Sequence, residues 1–331
     1  MMISEAEAAN ITRWNGKPGY YEVYYIKFNH TESSTAYWLR YTLLASLKGN
    51  TVAELWGTFF DSRNPLNNIA IKNTFSISDA VIKKDSFSLR IKDALIFQTG
   101  AEGEIKGAKG TIKWDIRFEP LFQIFHHFPH KLMYRTGIAK TKVLSPNFSI
   151  KVHGMVEVNG KSYYCNGEPG QQTHLWGTKH ADEWTWANSN MFIEDKDAIF
   201  EGISARIRIR NKLSPELTLF FIRCLNRDYY LNGIIQLFKN KSSSTFPVWR
   251  FFSKIGRIRF RGEISAGIES FVGAEYTDPD GEKLWCCNTE VADLKIDMFE
   301  DDKKLITLTS YGFCALEFVS RVNDHRIPVA L

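Results

Sequence analysis

Cysteine is scarce and unpatterned in this 331-residue chain. Cys165, Cys224, Cys286, Cys287 and Cys314 are odd in number and none belongs to a C-x-x-C pair. That disfavours a zinc knuckle or a redox dithiol, and the vicinal Cys286-Cys287 reads as buried, reduced thiol on opposite faces of a strand. Long hydrophobic runs are also missing. The longest, Leu217 to Ile222, falls far short of the roughly 20 residues that a membrane helix requires. Met1 to Asn10 is polar and acidic with no apolar centre, so no signal peptide is expected and the placement is cytoplasmic. The net charge of +5 is mild for this length and does not argue for nucleic acid. Peripheral contact with a membrane surface stays open. There is no G-x-S-x-G elbow, P-loop or dinucleotide fingerprint, which leaves hydrolase, kinase and dehydrogenase readings poor.

What is abundant is period-two alternation of apolar and polar residues. It marks strands at Tyr21 to Phe28, Tyr37 to Ala45, Val52 to Phe59, Ile112 to Phe118, Ile150 to Val158 and Trp184 to Phe192. Further strands follow at Ile199 to Ile209, Leu217 to Arg223, Tyr229 to Ile235, Val248 to Phe252 and Ile258 to Ile264. Asn159-Gly160 between alternating runs is the strongest hairpin signal, with Val156 and Val158 facing Tyr163 or its neighbours. Short helices are expected only near Leu121 to Phe128 and after Thr289. The fold class is therefore all-β, antiparallel, built as barrels or sandwiches that hide their edges. A chain of this length makes two such units side by side. Alternation breaks over Gly170 to Gly177, which places the junction there and gives domains of 1–170 and 171–331.

Aromatics are 14% of the chain, and their densest grouping is also the oddest. Gln171 to Phe192 contains His174, His180, Trp176, Trp184, Trp186, Asn188 and Asn190. In a strand, residues two apart share a face, so Trp184, Trp186, Asn188 and Asn190 line up opposite Thr185, Ala187 and Ser189. Large aromatics beside amides suit the wall of an apolar pocket with a few placed polar groups. Each residue also has a plainer reading. A tryptophan on a strand is as often barrel packing, and a single histidine is more often a satisfied structural donor. The concentration in one segment favours a site. A faint internal echo, Tyr37-Trp38-Leu39-Arg40-Tyr41 against Trp184 to Asn188, suggests a duplicated unit and brings in Tyr25 and Trp38 as contributors.

His174-Leu175-Trp176-Gly177 followed by Trp184-x-Trp186-x-Asn188-x-Asn190-x-Phe192 resembles the signature of the carotenoid hydratase and tocopherol cyclase-like superfamily. Leu175 stands where that pattern has Asn, and Ser189 where it often has Cys. Gly19-Tyr20-Tyr21-Glu22, Trp38 to Thr42, Glu54-Leu55-Trp56, Lys140 to Pro146 and Pro279-Asp280-Gly281 extend the likeness along nearly the whole chain. The resemblance implies two lipocalin-like β-barrel units and cofactor-independent chemistry on hydrophobic, usually isoprenoid or polyketide, molecules. It also implies an active-site role for His174 and Trp176. The family's further acid has no clear counterpart, because the matching strand offers Asn188 and Asn190.

These readings converge on a cyclase- or hydratase-type isomerase or lyase for an apolar, isoprenoid-like molecule, needing no cofactor and no metal. The expected catalytic groups are His174, Trp176 and Asn190. The expected substrate contacts are Trp184, Trp186, Asn188, His180, Trp38 and Tyr25, near the junction of the two barrels. A non-catalytic carrier of a hydrophobic ligand on the same fold is the alternative. His126-His127-Phe128-Pro129-His130 reads as an aromatic turn, Asp278-Pro279-Asp280-Gly281 as a turn without a calcium ligand set, and the two Arg-x-Arg-x-Arg strands, Arg206 to Arg210 and Arg257 to Arg261, as solvated sheet faces.

Overall fold

The structure is a computed structural model and describes residues 4–137, 139–209 and 212–331. After a short helix α1 (Glu5–Asn10), a meander of β1 (Tyr20–His30), β2 (Thr35–Ala45), β3 (Thr51–Asp61) and β4 (Ile69–Ser76) begins the first sheet. It continues through β5 (Ala80–Ile82), β6 (Ser88–Ile91), β7 (Ala94–Phe97), β8 (Gly100–Gly107) and β9 (Gly110–Pro120). The two-residue β10 (Phe125–His126) pairs with the long β11 (Thr141–Val158). β12 (Lys161–Gly177) returns alongside β1, from Phe28 opposite Gly170 to Tyr21 opposite Gly177. The resulting sheet has the order β4-β3-β2-β1-β12-β11-β9-β8-β7-β6-β5. It curls until Asn73 of β4 donates its amide to the Lys106 carbonyl of β8 at 3.2 Å, which nearly closes a barrel.

The second sheet takes β13 (Glu183–Ser189), β14 (Ile199–Arg206), β17 (Leu217–Cys224) and β18 (Arg227–Leu231). Its other strands are β19 (Lys241–Thr245), β20 (Val248–Ile255), β21 (Ile258–Ser265), β22 (Val272–Thr277), β23 (Lys283–Glu300) and β24 (Lys303–Ser320). Two-residue strands β15 (Arg208–Ile209) and β16 (Lys212–Leu213) form a separate ribbon, and α2 (Ile234–Lys239) bridges β18 to β19. The order is β18-β17-β14-β13-β24-β23-β21-β20-β19. Ser242 of β19 closes the curve through its hydroxyl, 2.6 Å from Ser204 of β14 and 2.9 Å from Thr218 of β17.

The two sheets wind alike. The run β4-β3-β2-β1-β12-β11-β9 has the same path as β18-β17-β14-β13-β24-β23-β21. The short sequence echo does not mark this correspondence, because it sets β2 against β13, whereas β13 stands where β1 does. The all-β, double-barrel expectation agrees with this architecture, and three details are corrected. No helix forms near Leu121 to Phe128, where β10 lies, or after Thr289, which sits inside β23. Tyr229 to Ile235 divides between β18 and α2. The break expected over Gly170 to Gly177 is the end of a continuous strand, and the change of sheet falls between Gly177 and Glu183, past residue 170. Polar Gln171, Gln172 and His174 masked the strand because they are buried among partners of their own.

Each barrel has its own apolar interior. Ile26, Leu39, Leu55, Ile96 and Trp114 belong to the first, and Phe200, Phe220, Trp249, Ile264 and Leu316 to the second. A third apolar cluster joins the sheets through Tyr25, Trp38, Trp56, Trp186, Tyr276 and Val319. This seam explains why β2 is buried over its whole length. An antiparallel sheet ordinarily shows one face to water, but here one face meets the barrel core and the other meets the second sheet. The Asn159-Gly160 hairpin forms as read, both residues having positive φ (51° and 81°) and Val156 standing opposite Tyr163. That pair of left-handed residues is what a two-residue turn matching the strand twist requires.

Candidate functional site at the seam

β12 and β13 are consecutive in sequence but belong to different sheets, so the aromatic-amide segment divides. On β12, alternation sends Gln171 and Thr173 toward the seam, and Gln172 and His174 toward the first barrel and α1. Gly177 ends the strand where the backbone of Lys140 passes so close that a Cβ would strike its carbonyl oxygen, and only glycine fits.

His174 is wholly buried. Its Nδ1 donates to the Ala9 carbonyl at 2.9 Å and its Nε2 to the Glu22 carboxylate at 2.8 Å. Both neighbours only accept, so each ring nitrogen donates and neither is left to meet a ligand. The ring stacks on Tyr24 at 4.2 Å and leans against Trp176 at 4.6 Å. Glu22 also accepts from the Arg13 backbone N–H, the Tyr24 hydroxyl and the Thr12 hydroxyl. Burial pushes the Glu22 carboxyl up, but His174 and these donors outweigh it and hold it below the usual carboxylate range. Beside them Asn10 and Gln172 exchange amide hydrogen bonds of 3.0 and 2.8 Å, pinning α1 to the sheet.

The seam holds the other group. Trp186, Asn188 and Glu201 come from adjacent β13 and β14, with Asn188 directly opposite Glu201. One Glu201 oxygen accepts from the Trp186 indole and the His127 ring, both at 2.8 Å. The other accepts from Asn188 at 3.0 Å and Gln171 at 3.2 Å. Four donors from three segments thus converge on one fully buried carboxylate. Asn190, just past β13, donates to the Gly170 carbonyl at 2.6 Å and receives a long 3.3 Å bond from Asn188.

Two further carboxylates complete this interior. Glu317 of β24 accepts from the Trp184 indole at 2.7 Å and the Tyr276 hydroxyl at 2.9 Å. Glu290 of β23 is fully buried, and neither of its oxygens has a hydrogen-bond partner in the protein. Burial pushes its carboxyl up to about 8, against the pull of Lys27. Burial also lowers the Lys27 amine, against the pull of Glu290. Tyr25 of β1 faces all three carboxylates. Burial and then Glu201, Glu317 and Glu290 raise its phenol well above the ordinary value, so it stays a protonated donor. Its ring meets Trp186 edge-on at 5.9 Å and Trp38 at 6.3 Å.

Of the residues singled out in the sequence, Tyr25, Trp38, Trp184, Trp186 and Asn188 come together at this seam, with Asn190 at its margin. His174 and Trp176 lie across β12, beside α1. His180 lies between, its Nδ1 2.7 Å from Asp278 and its ring stacked on Tyr21 at 4.2 Å. Sequence reasoning missed His127, Lys27, Glu201, Glu290 and Glu317, which stand on strands far from the signature. For the three glutamates the signal was an acidic residue within an apolar strand run.

Asp278, Asp280 and Glu282 bring three carboxylates within ligand distance of one another. Lys179 already sits 2.7 Å from Asp280 and 2.8 Å from Glu282, and Arg321 lies 2.7 Å from Asp278. These are ion pairs around the expected turn. The basic strands are partly paired too, Arg208 with Asp182 at 3.0 Å and Arg259 with Asp302 at 3.0 Å, while Arg210 lies outside the described residues. An open groove of about 860 Å³ on the outer face of β19 to β23, lined by Arg250, Arg261, Glu263, Lys295 and Tyr311 among others, contains none of the seam residues. Among the described residues, no helix is long and apolar enough to cross a membrane.

The sequence profile described as tocopherol cyclase-like matches residues 58–319. Two uncharacterised proteins of Mycobacterium tuberculosis strains are each 22% identical over 294 residues, covering 89% of this chain and 86% of theirs. Among solved structures, kievitone hydratase from Nectria haematococca superposes with a TM-score of 0.53 at 10% identity, covering 97% of this chain and 93% of that one. An AttH-like protein from Nitrosomonas europaea gives 0.51 at 9% identity, covering 91% and 92%. At such identities the likeness is one of fold.

Proposed function

This chain belongs to the tocopherol cyclase-like family, and we propose that it is a cofactor-independent cyclase or hydratase of the isomerase or lyase type. Its substrate is a hydrophobic, isoprenoid-like small molecule bound at the seam between the barrels. The observation that carries this reading is the set Tyr25, Glu201, Glu290 and Glu317, a phenol and three carboxylates enclosed by Trp38, Trp184 and Trp186. Protonating an alkene needs an acid that keeps its proton in a dry place, and a carboxyl held up to about 8 by burial is such an acid at neutral pH. Glu290 gives its proton to one alkene carbon. Water or a hydroxyl of the substrate adds to the cationic carbon, and its released proton returns to the carboxylates. The faces of Trp186 and Tyr25 stabilise the cation, at about 0.5–2 kcal/mol per well-placed ring. Asn188 and Asn190 orient a substrate or water oxygen. His174 and Trp176 act from behind β12, holding the strand that carries Gln171 and Thr173. The protein works in the cytoplasm, a placement supported by five buried, unpaired thiols.

The test is to identify the apolar molecule that co-purifies, by lipid extraction and mass spectrometry, and to incubate it with the protein in D2O. One deuterium at a new C–H bond in a cyclised or hydrated product is expected. A ligand recovered unchanged and unlabelled rejects catalysis. That outcome would favour the carrier reading, which has one observation of its own: His174 spends both nitrogens inside the protein.

A further inference from the structure

Lys27 and Glu290 face each other across the seam without touching. Lys27 is 1% exposed, and its ammonium has one hydrogen bond, a long 3.4 Å contact to the Asn188 carbonyl. Glu290 is 0% exposed and has no hydrogen bond of ordinary geometry through its side chain; the charge of Lys27 and a weaker pull from the neighbouring Asn288 amide only offset part of its burial. Asn29, two residues along β1, donates to the Glu290 backbone carbonyl at 2.7 Å, so β1 and β23 are fixed against one another here. Asn288, two residues before Glu290, is buried with both its amide nitrogen and its oxygen unpartnered, and the Asn188 side-chain oxygen is unpartnered too. Protein interiors leave few polar side-chain atoms unpaired, because burying them without a partner is costly. A group of them on β13 and β23, which flank β24 in one sheet, differs from Glu201, where each oxygen accepts two bonds. The patch is built to bond something that is not part of the chain.

We infer that the molecule held at the seam carries a carbonyl oxygen, which docks between Lys27 and Glu290 beside the Asn288 amide. The inference rests on the seam being the binding site, as proposed above, and narrows what binds there. Lys27 offers N–H donors, Asn288 offers N–H donors, and Glu290 kept protonated by burial offers O–H. Three donors around one point suit an atom that only accepts, as a ketone or conjugated carbonyl oxygen does. A pure hydrocarbon would bury all of them unpaired. An alcohol would satisfy them less well, because its own proton competes for the same space. The aromatic wall of Trp38 and Trp186 then takes the apolar remainder.

Calorimetric titration of the full-length protein with geranylacetone, and with the hydrocarbon that lacks only its oxygen, tests this. The wild-type protein is expected to bind the ketone at least tenfold more tightly. Lys27→Met and Glu290→Leu should each bring that ratio toward one while hydrocarbon affinity persists, whereas Glu290→Gln, whose amide still donates, should keep the preference. If Lys27→Met fails to fold, the contrast between Glu290→Leu and Glu290→Gln decides. Equal affinity for ketone and hydrocarbon in the wild type overturns the inference, leaves ordered water as the occupant of the patch, and leaves the seam reading standing. A preference that survives both Lys27→Met and Glu290→Leu also overturns it. Binding of neither probe overturns the seam reading and this inference with it.

Discussion

Glu201 and His127 meet at 2.8 Å where the two sheets join, although they stand 74 residues apart in sequence. Each oxygen of that carboxylate accepts two hydrogen bonds, so Glu201→Gln must point its amide N–H at two other donors whichever way it turns. With breaking a buried pair costing about 3–5 kcal/mol, the variant should lose stability on that scale. Urea denaturation followed by tryptophan fluorescence measures it, and an unchanged midpoint would remove Glu201 as the fastening between the sheets.

The Glu22–His174 pair makes a second prediction, in acid. The Glu22 carboxyl is held below its ordinary value of 4.5 by His174, Arg13 and Tyr24. A depressed carboxylate stabilises the fold above the unfolded pKa and loses that contribution as pH falls through the folded pKa. The wild-type protein should therefore weaken steeply below about pH 4.5. Glu22→Gln should be weaker at pH 7 and show a shallower slope between about pH 5 and 3. Parallel pH profiles for the two proteins would contradict the assignment.

Glu290 behaves in the opposite sense. Its carboxyl rises from 4.5 to about 8 in the fold, so the unfolded chain releases its proton first and stability falls as pH climbs between those values. Glu290→Gln removes that burden. Its melting temperature relative to wild type should increase from pH 5 to pH 8, measured by calorimetry, while turnover of the co-purified molecule disappears. A variant that retains full activity would exclude Glu290 as the acid.

His174→Ala should act first on the N-terminal helix. It deletes a buried ring, the bond to Ala9 and the partner of an ionised Glu22, at about 2–5 kcal/mol together. Limited proteolysis should then cut within Glu5–Asn10, a site protected in the wild type. Wild-type resistance to cleavage there, together with full activity, would reduce His174 to a replaceable packing residue.

Much of the fold was legible because strand periodicity and turn chemistry are local. Asn159-Gly160 formed its hairpin with Val156 across from Tyr163, and the shared face of Trp184, Trp186 and Asn188 is the one that meets Glu201 and Glu317. The polar end of β12 was not legible as strand, because Gln171, Gln172 and His174 are buried by partners 30, 162 and 152 residues away. The missing acid was sought on the signature strand, whereas Glu201, Glu290 and Glu317 reach the seam from β14, β23 and β24. Alternation predicts which way a side chain points, but not which other strand it will meet.

The repeated winding of the two sheets has a consequence for how the molecule comes apart. Two barrels that merely touched could come apart singly, since each has a core of its own. Here β1 and β2 have no face suited to water, and Glu201 draws Gln171 and His127 from the opposite sheet. A separated half would open a wide greasy surface studded with uncompensated charge. The duplicated halves are therefore committed to each other: they should melt in one cooperative transition, and a gene cut between them should yield two insoluble fragments in place of two small barrels.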